Sequence, residues 1–322
     1  MKERLGDFIS VPVHVHARLG SLHSTSAELK AESEIHDSSF SLEAAFHYSR
    51  YFFGENCLLT DTDHPFHVCA ANGNLKQTAF DPGNLERTIK TMSDGIASRA
   101  NIVRERFNGQ VLTGVEADII DDEGRLDVTS EVLSELDIVI ASLHYDIWKY
   151  SNDGKKVSLQ EYVDSLKGAV SNPNVDVLGH PFSELQLYHE GIVDFDLWDP
   201  LFDLMVREDV LLEVNLLSFR PGGRFNNEGR KKLLKRARER KVMFCVGLDF
   251  HGLDRYGIVD SSVVSDAKDA EDSFQSNLGI THFRVLLSVA RVQKELLNLG
   301  INSSRIVNSD RQDFLNWLRE RN

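Results

Sequence analysis

The sequence predicts an α/β fold in which parallel strands close into one barrel. Short runs rich in β-branched and apolar residues recur along the 322-residue chain, and amphipathic segments of helical periodicity separate them. Near-continuous apolar strands that alternate with helices are typical of a parallel sheet covered on both faces. Seven such units follow one another without a linker, which favours a closed barrel over two domains. A doubly wound open sheet is the alternative.

The predicted elements follow in order along the chain. The strands are Phe8–Val15, Asn56–Leu59, Gln110–Val115, Ile138–Ser142, Val175–Leu178, Val210–Val214 and Val242–Gly247. The helices are Ser41–Phe53, Asn84–Phe107, Ser130–Leu136, Leu159–Ala169, Leu197–Arg207, Glu228–Arg240, Phe283–Leu297 and Arg311–Arg321. We expect residues 1–322 to form a single barrel domain with lid-like insertions near residues 66–82 and 252–279.

Composition and charge restrict the classes of protein to which this chain can belong. Lys and Arg number 36 against 50 Asp and Glu, which gives a formal net charge of -14. Such a surface repels phosphate backbones at long range, so we expect neither stable nucleic-acid binding nor an anionic membrane partner. No segment approaches the roughly 18 apolar residues of a membrane span. Three scattered cysteines indicate reduced thiols, and together these features predict a soluble, cytoplasmic protein.

Histidines and carboxylates cluster at the predicted strand ends. His14 and His16 lie two residues apart at the end of the first strand, and side chains at i and i+2 of a strand point to one face. In a parallel barrel all carboxyl-terminal strand ends meet at one rim, where such folds assemble their active sites. The residues that end the later strands are His64, Glu116, His144, His180, Asp249 and His251.

This set of side chains predicts a metal centre. Imidazole and carboxylate ligands without thiolates suit Zn(II), Mn(II) or Fe(II), and their number exceeds what one ion needs. We therefore expect two to three divalent transition metal ions. Adjacent ions activate water and bind phosphoryl oxygens, so hydrolysis of a phosphate ester is the first reaction to consider.

The strand-end motifs also carry a family resemblance. The ordered series HVH, TDH, GVE, SLH, GHP and DFH resembles the polymerase-and-histidinol-phosphatase (PHP) family, as do the Glu-Val-Asn of the sixth strand and the closing RIVNSDRQDFL. The similarity runs from about Val11 to Leu315. It implies a distorted (β/α)7 TIM-like barrel with up to three metal ions at the carboxyl-terminal rim.

The resemblance further implies how the ligands divide among the metals. Glu116 would bridge the first two ions. The first ion would also be bound by His14, His16 and Asp249. The second would also be bound by His144 and His180. The third would be bound by His64, His251 and, as the candidate for the last ligand, His23.

The chain departs from the usual family pattern at three positions. Ala17 stands where Thr is common, and Leu248 stands where Ser is common. His23 lies one residue further from His16 than in histidinol-phosphatase-like members. These departures indicate that the chain is not a standard histidinol phosphatase.

Predicted catalytic residues are Glu116, Asp249, His251 and Arg220. Arg220 precedes a Pro-Gly-Gly loop after the sixth strand, and its place resembles that of a phosphate-binding arginine in related phosphatases. A planar guanidinium presents two donors to one phosphate. Arg18 and Arg255 are further candidates for phosphate binding, and a surface arginine is the alternative for each.

Three other features have a structural interpretation. Asp63 is interpreted as a partner that orients an imidazole, with metal binding or a turn as alternatives. Glu213 is interpreted as part of an interior network rather than as a metal ligand. The basic run Arg230–Lys241 is interpreted as the solvated face of a barrel helix whose Leu233 and Leu234 point inward.

The leading functional hypothesis is metal-dependent hydrolysis of a phosphate ester of a small phosphorylated metabolite. The enzyme would be a phosphomonoesterase, such as a histidinol-phosphatase-like, nucleotide or sugar phosphatase. The alternatives are a cyclic-phosphate phosphodiesterase or a PHP-type nuclease on short single strands. A catalytically silent, metal-stabilised interaction module ranks last, because the sequence has lost essentially none of the predicted ligands.

Overall fold

The computed structural model describes residues 11–16, 42, 45–46, 49–50, 57–65, 84–145, 147–148, 157–183, 193–216, 228–250 and 289–321. Its strands are β1 (Val13–Val15), β2 (Leu59–Asp61), β3 (Val111–Asp118), β4 (Ile138–Ser142), β5 (Val177–Leu178), β6 (Leu211–Asn215) and β7 (Phe244–Phe250). Its helices include α1 (Leu85–Phe107), α2 (Ser130–Leu133), α3 (Leu159–Val170), α4 (Phe195–Arg207), α5 (Glu228–Glu239) and α6 (Arg311–Arg321). Residues 289–298 are also helical.

The strands form one parallel sheet that closes on itself. Their order is β1-β7-β6-β5-β4-β3-β2, so β1 and β2 lie at its two ends. These end strands are nevertheless hydrogen-bonded, because the amide of Thr60 donates to the carbonyl of Pro12 at 3.2 Å and that of Thr62 to Val15 at 3.1 Å. The hydroxyl of Thr62 also accepts from the amide of Val15 at 2.9 Å. The predicted closed barrel is thus confirmed, and the open doubly wound sheet was the wrong alternative.

Apolar side chains form two layers, because successive residues of a strand point to opposite faces. Outward-facing Val139 and Ala141 pack in one cluster with Leu166 of α3 and Trp198 of α4. A second cluster fills the barrel near the amino-terminal ends of the strands and includes three residues of α6. Its members are Val11, Val13, Leu58, Ile138, Ile140, Val177, Leu211, Cys245, Phe314, Trp317 and Leu318. The polar cluster described below lies at the opposite end.

The pairing of β1 with β7 contains an irregularity at the carboxyl-terminal rim. Val13 lies opposite Gly247, whereas Val15 lies opposite Phe250, so β7 has one more residue than β1 between these pairs. Such a bulge re-aims side chains where a strand leaves a sheet. His14 and Asp249 lie within it, and both adopt positive φ, at 66° and 46°.

The basic run on α5 is matched by acidic residues on α4. Arg236 donates from Nε to Asp199 at 2.7 Å, and Arg240, just after α5, does the same to Asp203 at 2.7 Å. Leu233 and Leu234 are buried, as predicted. These basic side chains therefore serve contacts between helices.

Two predictions about chain organisation are not tested. The predicted insertions 66–82 and 252–279 lie outside the described residues, and the single-domain boundary stays a prediction. Within the described residues, no helix combines the length and the apolarity needed to cross a bilayer.

Candidate functional site

Polar side chains from six strands meet at the carboxyl-terminal rim of the barrel. Seven of the nine predicted metal ligands belong to this rim cluster: His14, His16, His64, Glu116, His144, His180 and Asp249. Five predicted site residues lie outside the described residues: Arg18, His23, Arg220, Arg255 and His251. Any role of these five stays a prediction.

Glu116 lies at the centre of the rim cluster. Its Oε2 is 2.8 Å from Nε2 of His14, 3.2 Å from Nε2 of His16 and 3.0 Å from Nε2 of His64. The side chain is 1% exposed. The resemblance implies that His64 binds a third metal ion, and this stays a prediction. In the structure its imidazole lies beside the same carboxylate oxygen as those of His14 and His16.

The second oxygen of Glu116 faces a different pair of imidazoles. Its Oε1 is 2.9 Å from Nε2 of His180 and 3.7 Å from Nε2 of His144. Asp249 lies on the first side of the rim cluster, where its Oδ1 is 3.6 Å from Nε2 of His16. A carboxylate whose two oxygens address two groups of ligands has the arrangement that bridges adjacent metal ions.

The electrostatics of the rim cluster favour a cation. Burial alone would lower the pKa of His14 and His16, but the neighbouring carboxylates hold both pKa values well above the ordinary value. Burial would raise the pKa of Glu116, but His14 and His64 hold it well below its usual range. A divalent ion takes the place of such protons, because a ligating imidazole must be deprotonated.

The donor set fits a divalent transition metal. Five overlapping groups of three residues bring imidazole nitrogens and carboxylate oxygens within 4.8 Å of one another. No cysteine belongs to any of these groups in the described part of the chain. Nitrogen and oxygen donors of this kind suit Zn(II), Mn(II) and Fe(II).

A buried ion-pair network supports His16 from behind. Oδ1 of Asp63 lies 3.5 Å from Nδ1 of His16, and Oδ2 of Asp63 lies 3.2 Å from Nη1 of Arg99. Arg99, on α1, also donates from Nε to Asp61 at 2.7 Å. This position agrees with the interpretation of Asp63 as a residue that orients an imidazole.

Sequence reasoning missed Asp118, Asn215 and Arg99. Oδ1 of Asp118 lies 2.6 Å from Nδ1 of His144. Its signal was present, because Asp118 follows Glu116 by two residues and so shares its face of β3. Asn215 likewise lies at the carboxyl-terminal end of its strand, β6. For Arg99, nothing in the periodicity of α1 distinguishes this buried side chain from a solvated arginine.

Comparison with known proteins gives relatives but no matching family profile. A probable phosphatase of Caldanaerobacter subterraneus is 31% identical over 163 residues, which cover 50% of this chain and 59% of that protein. A probable phosphatase of Thermoanaerobacter sp. is 29% identical over 159 residues, covering 47% of this chain and 56% of that protein. The DNA polymerase/3′-5′ exonuclease PolX of Bacillus subtilis is 28% identical over 211 residues, covering 64% and 31%. The chain thus spans somewhat more than half the length of these probable phosphatases.

Among solved structures, a histidinol phosphate phosphatase from Lactococcus lactis, complexed with zinc, L-histidinol and phosphate, has a TM-score of 0.42 and 12% identity. The alignment covers 92% of this chain and 95% of that one. A TM-score this low adds nothing to the identification. The parallel barrel with a histidine and carboxylate cluster at its rim defines a protein of the TIM-like class with a candidate metal site. The relatives, which include probable phosphatases and PolX, support the resemblance to the PHP family that the ordered motifs indicate.

Proposed function

We propose that the chain hydrolyses phosphate esters of small metabolites with the help of two to three Zn, Mn or Fe ions at the rim. The observation that carries this proposal is the position of Glu116, whose two oxygens face two different groups of imidazoles. The similarity to probable phosphatases supports the same reaction class.

The rim cluster divides into binding positions around Glu116. His14, His16 and Asp249 would complete the first, and His144 and His180 would complete the second. His64 would serve a third with His23 and His251. Bound ions supply a Lewis acid for phosphoryl oxygens and lower the pKa of a bound water.

The exposure of the ligands indicates where a substrate approaches. The side chains of His144, Asp249 and His64 are 27%, 16% and 13% exposed, whereas those of His14 and His16 are fully buried. The phosphate ester would therefore approach the rim cluster from the side of His144. The buried His14 and His16 of β1 would lie furthest from solvent. Arg220, Arg18 and Arg255 stay the predicted phosphate-binding residues.

Nuclease activity on short single strands is the second candidate, because the similarity to PolX covers 64% of this chain. The net charge of -14 works against binding of long strands. Cyclic phosphate diesters would need the same metal chemistry and stay in the test.

The test is hydrolysis by protein reconstituted with Mn(II), Fe(II) or Zn(II). The panel contains p-nitrophenyl phosphate, sugar, nucleotide and histidinol monophosphates, cyclic diesters and short single-stranded oligonucleotides. We expect release of inorganic phosphate from monoesters, with loss on chelation and in Glu116→Gln. Asp176→Asn is the matched control, because it removes a buried carboxylate at the other end of the barrel.

The outcomes separate the candidates. Hydrolysis of diesters or oligonucleotides without monoesters would favour the second candidate. Metal-loaded protein that hydrolyses none of the panel would contradict both. Near-normal turnover and metal content in Glu116→Gln would show that Glu116 does not bridge metals.

A further inference from the structure

Three residues of the rim cluster have left-handed backbone conformations. The φ angles are 66° at His14, 24° at His180 and 46° at Asp249. Non-glycine residues rarely adopt positive φ, and such strain persists only where the surroundings enforce it. The other described non-glycine residues with positive φ lie within two residues of helix ends, where this conformation is ordinary. They are Asn108, Asp209 and Lys241.

Glu213 on β6 contacts two of these three residues. Its Oε1 accepts from Nδ1 of His14 at 2.6 Å, and its Oε2 accepts from the backbone amide of His180 at 2.7 Å. The residue is 2% exposed. One buried side chain therefore fixes an imidazole of β1 and the backbone that follows β5.

The contact with Glu213 sets which nitrogen of His14 faces the rim. A carboxylate accepts, so Nδ1 of His14 must hold a hydrogen. In the metal-free protein Nε2 also lies 2.8 Å from a carboxylate oxygen, Oε2 of Glu116, so it too holds a hydrogen. A metal ion would take the place of this Nε2 hydrogen, whereas the Nδ1 hydrogen would stay bonded to Glu213. A carboxylate behind a ligating histidine fixes its tautomer and ring orientation in this way.

Asn215 contacts the third left-handed residue. It follows Glu213 by two residues and therefore lies on the same face of β6. Its Nδ2 donates to Oδ2 of Asp249 at 2.9 Å, which leaves Oδ1 of Asp249 toward His16. The amide holds the carboxylate without adding charge to the rim cluster.

The neighbouring strand leaves space for Glu213. Gly247 lies beside Asn215 in the pairing of β6 with β7. A Cβ atom at position 247 would overlap Oε1 of Glu213. A side chain at this position would therefore displace the carboxylate from His14.

We propose that Glu213 and Asn215 are positioning residues that hold His14, His180 and Asp249 in the conformations that bind metal. β6 is the strand that supplies none of the predicted ligands, and on this proposal its role is to support ligands from β1, β5 and β7. The proposal rests on the proposed metal-dependent function.

Direct metal binding by Glu213 is the competing role, because His14, His180 and Glu213 also lie within 4.8 Å of one another. Both Glu213 oxygens, however, already accept hydrogen bonds. One of the donors is the backbone amide of His180, which keeps its hydrogen when metal binds. Glu213 also lies on the Nδ1 side of His14, away from Glu116.

The experiment compares wild type, Glu213→Gln and Asn215→Ala, with Asp176→Asn as the control. Co(II) alone is titrated into each metal-free protein, and affinity and stoichiometry are read from the visible absorption of the bound ion. In parallel, ¹⁵N spectra of the metal-free protein report whether Nδ1 of His14 holds a hydrogen and how strongly that hydrogen is bonded. We expect Co(II) affinity to fall about tenfold or more in both variants at unchanged stoichiometry. The hydrogen bond of His14 Nδ1–H should weaken in Glu213→Gln, because a neutral amide accepts less strongly than a carboxylate and has one oxygen for two donors. Asp176→Asn should match wild type.

Each other outcome has a defined meaning. Wild-type Co(II) affinity in both variants would overturn the proposal, as would loss of a whole equivalent in Glu213→Gln, which would make Glu213 a ligand. If Glu213→Gln does not fold, Asn215→Ala decides by the same criterion. Wild type that binds no Co(II) would contradict the proposed function instead. In that case a metal-free His14 whose Nδ1 carries no hydrogen would overturn the positioning role separately.

Discussion

Three imidazoles of the rim cluster face Glu116 with one ring nitrogen and a carboxylate outside the cluster with the other. His14 is backed by Glu213, and His144 is backed by Asp118, each at 2.6 Å. His16 is backed by Asp63. A histidine that ligates metal usually donates its other ring N–H to such a partner, which raises the basicity of the ligating nitrogen. The rim cluster therefore has both the ligands of a metal site and the carboxylates that orient those ligands.

Replacement of Arg99 should destabilise the fold. Arg99 is 4% exposed and is the cation between Asp61 and Asp63. Removing one partner from a buried ion pair leaves an uncompensated charge, so we expect Arg99→Gln to lower the free energy of unfolding by about 3–5 kcal/mol. Urea unfolding measures it. Lys90→Gln, on the exposed face of α1, should change it by less than about 1 kcal/mol.

One outcome of this comparison would contradict the predicted role of Arg99. If Arg99→Gln unfolds within about 1 kcal/mol of Lys90→Gln, then the two aspartates are not ionised partners of Arg99 in the folded protein. The orienting role of Asp63 toward His16 would then lose its support.

Arg220 should serve phosphate rather than stability. Lys cannot reproduce the two-donor fork of Arg. Arg220→Lys should therefore lower kcat/KM on a phosphomonoester by more than about tenfold, or about 1.4 kcal/mol. Metal content and Tm should hardly change. A variant with a Tm several degrees lower and intact kcat/KM would make Arg220 structural and direct the search to Arg18 and Arg255.

The bounds of the secondary-structure elements show which parts of the barrel the local sequence predicts. β4 and α6 have the predicted bounds, because each is a run with one clear periodicity. β3 extends past the predicted end at Val115 to Asp118, since Asp118 still pairs with Ser142 of β4. Apolar runs mark the buried part of a strand, but the site residues lie on the polar continuation, which only pairing with the neighbouring strand defines.

β2 shows the same effect more strongly. The apolar run predicted a strand at Asn56–Leu59, whereas the ladder spans Leu59–Asp61. Thr60 and Asp61 are strand residues because they pair with β3. Thr60 also hydrogen-bonds to Pro12, just before β1, and Asp61 to Arg99 of α1. These contacts are distant in sequence, so no local pattern predicts them. The positive φ of His14 and Asp249 depends on the β1–β7 bulge and is equally invisible to local patterns.

The element α6 is fixed to the amino-terminal end of the barrel by Arg321. Its Nη1 donates to the carbonyls of Glu208 and Asp209, and its Nη2 to that of Val175, each at 2.6 Å. Its Nε donates to Asp176 at 3.0 Å. Arg321 thereby connects α6 to the segments that enter β5 and β6.

Asp176 makes this end of the barrel sensitive to pH. Burial raises the pKa of Asp176 from 3.8 to about 6, against the lowering effect of Arg321. The folded state therefore binds the proton more tightly than the unfolded chain, so stability from this group is present below about pH 4 and is lost as the pH rises toward 6. A shift of this size corresponds to about 3 kcal/mol.

Asp176→Asn isolates this contribution. The free energy of unfolding of wild type, minus that of Asp176→Asn, should fall by about 2.4 kcal/mol between about pH 4 and pH 7. Urea unfolding at both pH values measures it. A difference that stays constant over this range would show that Asp176 does not titrate there in the folded protein.

The whole molecule has two ends with different tasks. The amino-terminal end is filled by apolar side chains and covered by α6, whereas the carboxyl-terminal end collects buried imidazoles and carboxylates. Asn308, just before α6, connects this helix to the barrel. Its side-chain Oδ1 accepts from the backbone amide of Val246, and its Nδ2 donates to the carbonyls of Val11 and Val246, each at 2.9 Å. The closing segment that carried part of the family resemblance thus has a structural role here.

Metal binding should stabilise the whole barrel, because the rim cluster joins the ends of six strands. Free metal at about 100 times its Kd adds about 2.7 kcal/mol to the free energy of unfolding, or about 4 °C in Tm for a chain of this length. Thermal unfolding with Mn(II) or Zn(II), and again with a chelator, measures the shift. It should shrink as the pH is lowered, because protons compete for His14 and His16, whose pKa values are raised. Glu116→Gln should abolish most of it, and an equal shift in that variant would place the stabilising metal elsewhere on the protein.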